Sequence, residues 1–417
     1  MKTESWLASR LSLRRGVAAS TSTGAVIAVA GVAITVTVML LTLAIVAGFK
    51  NQIEQKVMGF EPSVAILPPY HPDTGVSENL MQADSSLVEI VSTTVPTANV
   101  VTEIRRYGIL KTDSDFLAVQ FTGRGESHDD SFERANMREG NWPNYTDQEK
   151  RNSIVISTEM ASRLGVEPGD EIFTYFFSDG AVKTRRVTIE GLYRSYFGEY
   201  DATVAYASAD MLSGLSSADT VLCTAISLEG IDRRHIAETS SRLQGAMIEA
   251  YQKGSLDNLY PVTDVLRTGA VFFNWLDLLD TNVAVIFILM ACVAGFTLIS
   301  SLFILILDRV RTIGVLMALG MSPGGISRIF VLMALRLTGL GMLIGNALGL
   351  GLIFAQAHWH FIPLNPEMYY LPYVPMELSA TAFVCLNIAV AAGAWLILIL
   401  PARLAARTSP AEAMRFE

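Results

Sequence analysis

Three polar side chains in the last third of the chain have types that could bind a metal ion. His358 and His360 lie two residues apart and Glu367 follows, but no clear further ligand accompanies them. Polar residues beside Trp359 at a membrane interface explain the group better than a metal centre does. No nucleophile–base pair or carboxylate pair stands out, and the sequence contains no GxxxxGK[ST] loop for ATP phosphates. We therefore expect no catalytic, cofactor-binding or metal-binding residues.

A segment of basic and apolar residues between two long apolar stretches has the composition of a partner-binding helix. Residues 308–330 have the sequence DRVRTIGVLMALGMSPGGISRIF, in which Ser322-Pro323-Gly324-Gly325 would end a helix. A short amphipathic helix of this kind can insert into the groove of a soluble protein, although an ordinary basic loop is the alternative. The expected contact residues are Arg309, Arg311, Ile313, Leu316, Met317, Leu319 and Gly320.

Glycines recur at every fourth position in the apolar stretch that follows. Gly341, Gly345 and Gly349 would share one face of a helix. Small residues at this spacing allow a second membrane helix to approach closely, although glycine is also simply common in such helices. We predict a helix-packing seam along these three positions.

The elements that must position these residues are four stretches able to cross a bilayer. A hydrocarbon core of about 30 Å requires about 20 apolar helical residues, and each stretch is long enough. We predict transmembrane helices at 24–48, 281–307, 326–357 and 378–402. Residues 50–280 are too polar to enter lipid. The predicted fold is an α-helical membrane protein with a 1+3 arrangement of four spans and an α/β domain between helices 1 and 2.

Charge predicts which segments share a side of the membrane. Residues 50–280 contain 20 Lys and Arg against 34 Asp and Glu, a net charge of −14, whereas the rest of the chain has a net charge of +5. By the positive-inside rule, the amphipathic segment 1–23, the loop 308–325 and the tail 403–417 are cytoplasmic. The large domain and the loop 358–377 then face outward. We expect a multi-pass protein of the inner (cytoplasmic) membrane, with a periplasmic large domain and no nucleic-acid partner.

Short β-branched and aromatic runs separated by turn residues predict a mixed domain in residues 50–280. Thr158–Leu164 is expected to be a helix ended by Gly165, and Ile231–Lys253 a second helix. Strands at both ends of a polar region near 122–150 suggest two subdomains. The predicted strands are Ser63–Leu67, Leu87–Thr93, Phe116–Phe121, Ser153–Ser157, Glu171–Phe177, Thr184–Leu192 and Thr203–Tyr206.

Several of these motifs together resemble one family of membrane proteins. DRVRTIGVLMALGMSP resembles the coupling helix of FtsX/MacB-type permeases, and the closing PAEAMRFE is similar to the family's carboxyl terminus. LGVEPGDEI at 164–172, GEYD at 198–201 and EMYYLP at 367–372 resemble elements of the lipoprotein-releasing permeases of the LolC/LolE type. The resemblance covers nearly the full chain.

This resemblance implies a non-catalytic permease subunit, with a MacB-like domain at 50–280 and an FtsX-like permease domain at 281–410. Its partners would be a dimer of ABC ATPase subunits that bind ATP, a second permease (self or paralogue), membrane lipid and a lipoprotein substrate. The substrate would leave through a lateral opening. From their positions alone, its contacts are expected at Val38, Leu41, Ile45, Ile286 and Met290.

Two points remain open at the level of sequence. LolC-type subunits use a long hairpin to dock a periplasmic carrier protein, but the corresponding turn here, residues 177–181, is short. Other functions of the superfamily are small-molecule export by MacB-like proteins and activation of periplasmic hydrolases by FtsX-like proteins. A different class of function is that of a membrane-anchored binding or scaffold protein without an ATPase.

Overall fold

A computed structural model describes residues 20–69, 80–178, 181–216, 222–307 and 310–405. The chain divides into two units. The first, here the membrane unit, comprises Met1–Asn51, Leu276–Pro363 and Tyr373–Glu417. The second, here the large unit, comprises Gln52–Trp275 and Leu364–Pro372.

The described helices are α1 Ser20–Phe60, α2 Ser85–Thr94, α3 Ser131–Ala135, α4 Thr158–Leu164, α5 Gly198–Thr203, α6 Ala209–Ser213, α7 Arg233–Gln252, α8 Val265–Thr268, α9 Ala270–Leu307, α10 Val310–Ala318, α11 Pro323–Trp359, α12 Pro366–Tyr369 and α13 Ala380–Ala405. The strands are β1 Val64–Ile66, β2 Met81–Gln82, β3 Asn99–Lys111, β4 Phe116–Arg124, β5 Met137–Gly140, β6 Ser153–Ser157, β7 Glu171–Ser178, β8 Ala181–Tyr193, β9 Val204–Ala207, β10 Leu222–Cys223, β11 Ala225–Glu229 and β12 Val262–Asp264.

Among the described residues, four helices are long and apolar enough to cross a membrane: α1, α9, α11 and α13. The predicted 1+3 arrangement of spans around an α/β domain is therefore confirmed. Helix α1 continues to Phe60 and α9 begins at Ala270, so both are much longer than a bilayer requires. The helices of the membrane unit share a core that includes Leu40, Leu302 and Leu398.

The large unit is built on a sheet of ten strands. Its order is β12-β1-β11-β3-β4-β9-β6-β8-β5, and β7 pairs with both β3 and β8. Most neighbouring strands are antiparallel, whereas β4–β9 and β6–β8 are parallel. The core of the central strands includes Phe121, Ile154 and Phe176, and α4 and α6 contribute Met160 and Leu212. The predicted division into two subdomains remains a prediction.

Local sequence signals predicted some elements well and one wrongly. Ser153–Ser157 and Thr158–Leu164 are confirmed as strand and helix; Ser157 Oγ accepts the Met160 N–H, and Gly165 ends the helix at φ +68°. The predicted strand Leu87–Thr93 is wrong, because these residues belong to helix α2. Leu87 and Val91, four residues apart, are its buried residues, so the helical period outweighs the β-branched composition.

One of the two longest strands of the central sheet was missed by sequence reasoning. Strand β3 runs over 13 residues, and its middle carries Glu103, Arg105 and Arg106. Glu103 and Arg106 are buried, which breaks the alternation of apolar and polar residues that identifies a strand. Only the tertiary structure supplies the partners: Arg105 and Arg124 for the Glu103 carboxylate, and Ser216 Oγ, which accepts a 2.6 Å hydrogen bond from Arg106 Nη2.

Candidate functional site

The predicted coupling segment contains a short helix with an exposed apolar edge. Helix α10 ends at Ala318, and Gly320 takes a left-handed conformation at φ +87° before α11 starts. Ser322 Oγ accepts the Gly325 N–H and caps α11, as the Ser-Pro-Gly-Gly breaker predicts. Val315 and Leu319, which are one helical turn apart, are 56% and 79% exposed. This edge is suited to binding in an apolar groove of another protein.

The other predicted coupling residues lie in different places. Leu316 and Met317 are half-buried, and Met317 packs against the core of the membrane unit. Arg309 lies outside the described residues, as do the side chains of Arg311 and Ile313. Sequence reasoning did not include Val315, although its four-residue spacing from Leu319 was a usable signal.

The glycine seam of α11 lies against α1. A Cβ atom at Gly341 would be 2.8 Å from Val32 Cβ, and one at Gly345 would be 2.6 Å from the Ala33 carbonyl oxygen. At Gly349 it would meet Leu40. Thr37 Oγ1 donates a 3.1 Å hydrogen bond to the Gly345 carbonyl, which such a close approach permits.

The neighbouring glycines of α11 lack these contacts. A Cβ atom at Gly339 or Gly351 would have no atom within 4 Å. The close approach therefore belongs to one face of the helix and not to glycine content in general. A polar contact that the sequence did not suggest joins α11 to α13, where Asn346 Nδ2 donates to Asn387 Oδ1 over 2.7 Å.

An apolar cleft of about 540 Å³ opens among α1, α9 and α13 of the membrane unit. Helix α1 contributes Met39 and Leu43, and α9 contributes Phe287 and Ala291. The hydroxyl groups on its walls come from Thr35 and Thr338. A cavity of this size and polarity is suited to a hydrocarbon ligand.

The five predicted lipoprotein contacts do not line this cleft. These five residues are each half-buried, whereas Met39, Phe287 and Ala291, which are immediate sequence neighbours of three of them, line the cleft. Neighbouring helical residues are about 100° apart around the axis, so the predicted residues face other directions. Sequence position alone could not determine this rotation.

In the large unit, the end of α1 is held by two arginines. Arg124 donates to the carbonyl oxygens of Gly59 (3.3 Å) and Phe60 (2.9 Å), which the end of the helix leaves without helical partners. Arg105 forms a 3.0 Å ion pair with Glu61, the next residue. Cations at a helix carboxyl terminus also interact favourably with the helix dipole. The last turn of α1 is thus fixed to strands β3 and β4.

Arg124 and Arg105 belong to a buried network of charges. Arg124 pairs with Glu133 at 2.7 Å and with Glu103 at 3.4 Å, and both carboxylate side chains are 1% exposed. Burial alone would raise the pKa of the Glu103 carboxyl, but Arg105 and Arg124 hold it below its ordinary value.

His128 continues the network toward the edge of the domain. Its Nε2 lies 3.1 Å from Glu133 Oε1 and its Nδ1 lies 2.6 Å from Glu229 Oε1. Burial would lower the pKa of His128, but the hydrogen bonds to both carboxylates outweigh it and raise the pKa to about 9. The imidazole is therefore protonated at neutral pH and donates from both nitrogens.

One face of the sheet in the large unit exposes a group of aromatic rings. Strands β4, β3, β7 and β8 lie side by side, so Phe116 is opposite Lys111, and Lys111 is opposite Phe173. Exposed apolar side chains are normally scattered singly over a protein surface, whereas here they are grouped on one face. Such a patch is typical of a binding surface. This aromatic face consists of Tyr107, Phe116, Phe173, Phe177 and Val182, each at least half exposed.

The two histidines that were considered as metal ligands each pack against an aromatic ring. The His360 ring packs against Tyr373, and His358 stacks on Phe354. No group of three or more metal-ligating side chains occurs within the described part of the chain.

Strands β7 and β8 pair Ser178 with Ala181, so a connection of two residues joins them; those two residues lie outside the described ranges.

Comparisons with known proteins match both halves of the chain. Residues 25–244 match the MacB-like periplasmic core domain, and residues 284–410 match the FtsX-like permease C-terminal domain. The periplasmic region of MacB from Actinobacillus actinomycetemcomitans is 12% identical and covers 53% of this chain and 98% of its own, at a TM-score of 0.33.

Curated relatives align with the protein along most of its length. LolC of Xylella fastidiosa strain 9a5c is 22% identical over 93% of this chain and 92% of its own. LolC of strain Temecula1 is 25% identical over 64% of this chain and 65% of its own. LolE of Haemophilus influenzae is 24% identical over 92% of each chain. With the two domains in the family's order and relatives aligned end to end, the chain belongs to the LolC/LolE-type permeases of the FtsX-like family.

Proposed function

We propose that the protein is the permease subunit of an ABC transporter that extracts lipoproteins from the outer leaflet of the inner membrane for delivery to the outer membrane. A separate ATPase dimer binds and hydrolyses ATP, and a second permease completes the complex. Both termini are cytoplasmic and the large unit is periplasmic. The observation that carries the proposal is α1, one uninterrupted helix of 41 residues that runs from the membrane unit into the charge network of the large unit.

The length of α1 supports a mechanical role. At 1.5 Å per residue it spans about 60 Å, twice the hydrocarbon thickness of a bilayer. The glycine seam holds its membrane half, and Arg124 and Arg105 hold its last turn. Both halves of α1 are thus held by specific contacts, as a helix that bears force requires.

The energetics of the substrate explain why ATP is required. Each buried CH₂ group withdrawn from lipid costs about 0.8 kcal/mol, so a single long acyl chain costs on the order of 10 kcal/mol. The cleft among α1, α9 and α13 offers apolar walls that lower this cost during extraction. We place an acyl chain there, in contact with Met39 and Phe287.

Depletion of the protein tests this function. Lipoproteins destined for the outer membrane should accumulate in the inner membrane, as measured by fractionation and immunoblotting. Unchanged sorting would favour the alternatives of MacB-like export or FtsX-like control of periplasmic hydrolases.

ATPase association separates a transporter from a scaffold protein. Leu319→Ser and Val315→Ser together should weaken co-purification of the ATPase at least tenfold, because they remove the exposed apolar edge of α10. Ala318→Ser, an exposed position with little apolar area, is the matched control. If no ATPase co-purifies with the unaltered protein, the scaffold alternative is correct.

We assign the aromatic face to a soluble periplasmic carrier, since a two-residue β7–β8 connection leaves no room for a long docking hairpin. Tyr107→Ser, Phe173→Ser and Phe177→Ser combined should weaken carrier binding by the purified full-length protein more than tenfold. Tyr251→Ser, at an exposed ring on α7, should not. Equal carrier affinity of the two variants would show that the carrier docks elsewhere.

A further inference from the structure

A single buried ring in the large unit contacts aromatic side chains from three separate segments. The Phe197 side chain is fully buried. Its ring centroid lies 6.2 Å from Phe60 of α1, 4.9 Å from Phe272 of α9 and 4.8 Å from Tyr370 of the loop between α11 and α13. Aromatic pairs at these separations attract one another beyond their burial of apolar area.

The turn that carries Phe197 is fixed by one buried carboxylate. Asp201 accepts hydrogen bonds from Ser195 Oγ at 2.5 Å and from the Tyr196 N–H at 2.9 Å. Ser195 Oγ in turn accepts the Phe197 N–H at 3.0 Å. Tyr196 has a φ of +61°, a conformation that a non-glycine residue adopts at some cost. Several hydrogen bonds therefore hold the backbone turn that carries the Phe197 ring.

Lys56 of α1 joins the same turn to the loop. Its Nζ donates to the Ser195 carbonyl oxygen and, over 2.6 Å, to the Tyr370 carbonyl oxygen. The next loop residue, Leu371, is only 1% exposed. The loop is therefore attached by a charge-assisted hydrogen bond and a buried side chain as well as by the Tyr370 ring.

A second set of contacts ties α1 to the start of α9. Arg233 pairs with Glu54 at 2.8 Å, and its guanidinium lies 5.2 Å from the centre of the Phe273 ring. A Cβ atom at Gly269, just before α9, would be 3.1 Å from a Val57 methyl group. These contacts do not involve Phe197, so they leave the loop as the segment that depends most on Phe197 and Lys56.

The three segments have one property in common. The chain passes between the two units in α1 after Asn51, in α9 after Trp275, and at both ends of Leu364–Pro372. Phe60 lies nine residues after the first of these points, whereas Phe272 and Tyr370 lie within three residues of the others. Each of the three segments brings one aromatic ring to Phe197 within the large unit.

We propose that Phe197 and Lys56, with Phe60, Phe272 and Tyr370, form a joint that fixes the loop 364–372 to the ends of α1 and α9 that belong to the large unit. Phe197 and Lys56 are positioning residues in this joint. The transport role of the joint rests on the function proposed above, whereas its existence does not.

Labelling of single cysteines with a membrane-impermeant maleimide tests whether the joint exists. The full-length protein keeps Cys223, which is buried in the large unit and reports on its folding, while Cys292 and Cys385 are replaced by Ser. Leu371→Cys should react at least tenfold more slowly than Met368→Cys, whose position is 69% exposed. Phe197→Ala, and separately Lys56→Met, should each accelerate labelling at position 371 at least tenfold while Cys223 remains protected.

Matched controls are available for both substitutions. Phe116→Ala removes an exposed ring and Lys253→Met removes an exposed ammonium group, and both should leave position 371 protected. The joint is refuted if position 371 reacts as fast as position 368 in the parent. It is also refuted if position 371 stays protected in both joint variants. Lys56→Met keeps the aromatic cluster intact, so it decides the question if Phe197→Ala fails to fold.

A transport assay tests the positioning role. In proteoliposomes with the ATPase and the second permease, Phe197→Ala should retain ATP hydrolysis within twofold of the parent but release lipoprotein at least tenfold more slowly. Normal release together with a freely labelled position 371 would overturn the positioning role. If the parent itself releases no lipoprotein, the proposed function fails, while the labelling result still decides whether the joint exists.

Discussion

The two units hold the same helix by opposite means. In the membrane unit, α1 packs closely against α11 because the glycines of α11 have no side chains to keep the two backbones apart. In the large unit, the last turn of α1 is held by guanidinium groups and carboxylates. Lipid gives little hydrophobic incentive for helices to associate, so close packing must provide the attraction. In an aqueous domain, the free carbonyl groups at a helix end need donors, and buried arginines provide them.

This comparison predicts the largest effect at the charged end of α1. Arg124→Met should destabilise the protein by about 3–5 kcal/mol, because it leaves Glu103 and Glu133 buried without their shared cation. Arg134→Met removes a surface pair with Asp130 and should cost about 0.5 kcal/mol or less. Hydrogen exchange of strands β3 and β4 in the full-length protein measures the difference. Similar protection in both variants would mean that the network does not hold the helix.

At the membrane end the expected effect is smaller and purely steric. Gly345→Leu should lower stability by about 1–3 kcal/mol, because the Ala33 backbone cannot move aside for the new side chain. Gly351→Leu, on the open side of the same helix, is the control and should be nearly neutral. Thermal unfolding in detergent compares the two. Equal melting temperatures would show that α11 and α1 separate easily at the seam.

A third effect, comparable in size to the steric one, concerns pH and should appear in the large unit. The pKa of His128 in the folded protein is about 9, above its ordinary value of 6.5. The stability it contributes is therefore complete below pH 6.5 and is lost as the pH rises through 9. The full loss is on the order of 3 kcal/mol. Unfolding followed between pH 6.5 and 9.5 should show this slope, and His128→Gln should flatten it. An unchanged slope would assign the pH dependence to other groups.

Some contacts could be anticipated from sequence because they depend on short-range patterns. The Ser157 cap, Gly165 at the end of α4 and the glycine register on α11 all follow from spacing along one element. The direction in which α1 and α9 turn toward the cleft does not: Met39 and Phe287 line it, whereas Val38 and Ile286 do not, and their contact with a lipoprotein remains a prediction. A helix can be rotated about its axis without any change in its own pattern of residues.

Sequence alone determined the four apolar stretches, the acidic domain between the first two, and the motifs that identify the family. Each of these depends on residue type and order, because lipid excludes charge whatever the remaining fold may be. Tertiary structure alone decided that Glu103 and Arg124 could be buried together in the sheet, and that Phe197 meets rings from α1, α9 and a distant loop. The Phe197 contacts join residues about 70 to 170 positions apart, and even Glu103 and Arg124 lie on different strands. No local pattern records which partner will compensate for a buried charge or fill the space beside a ring.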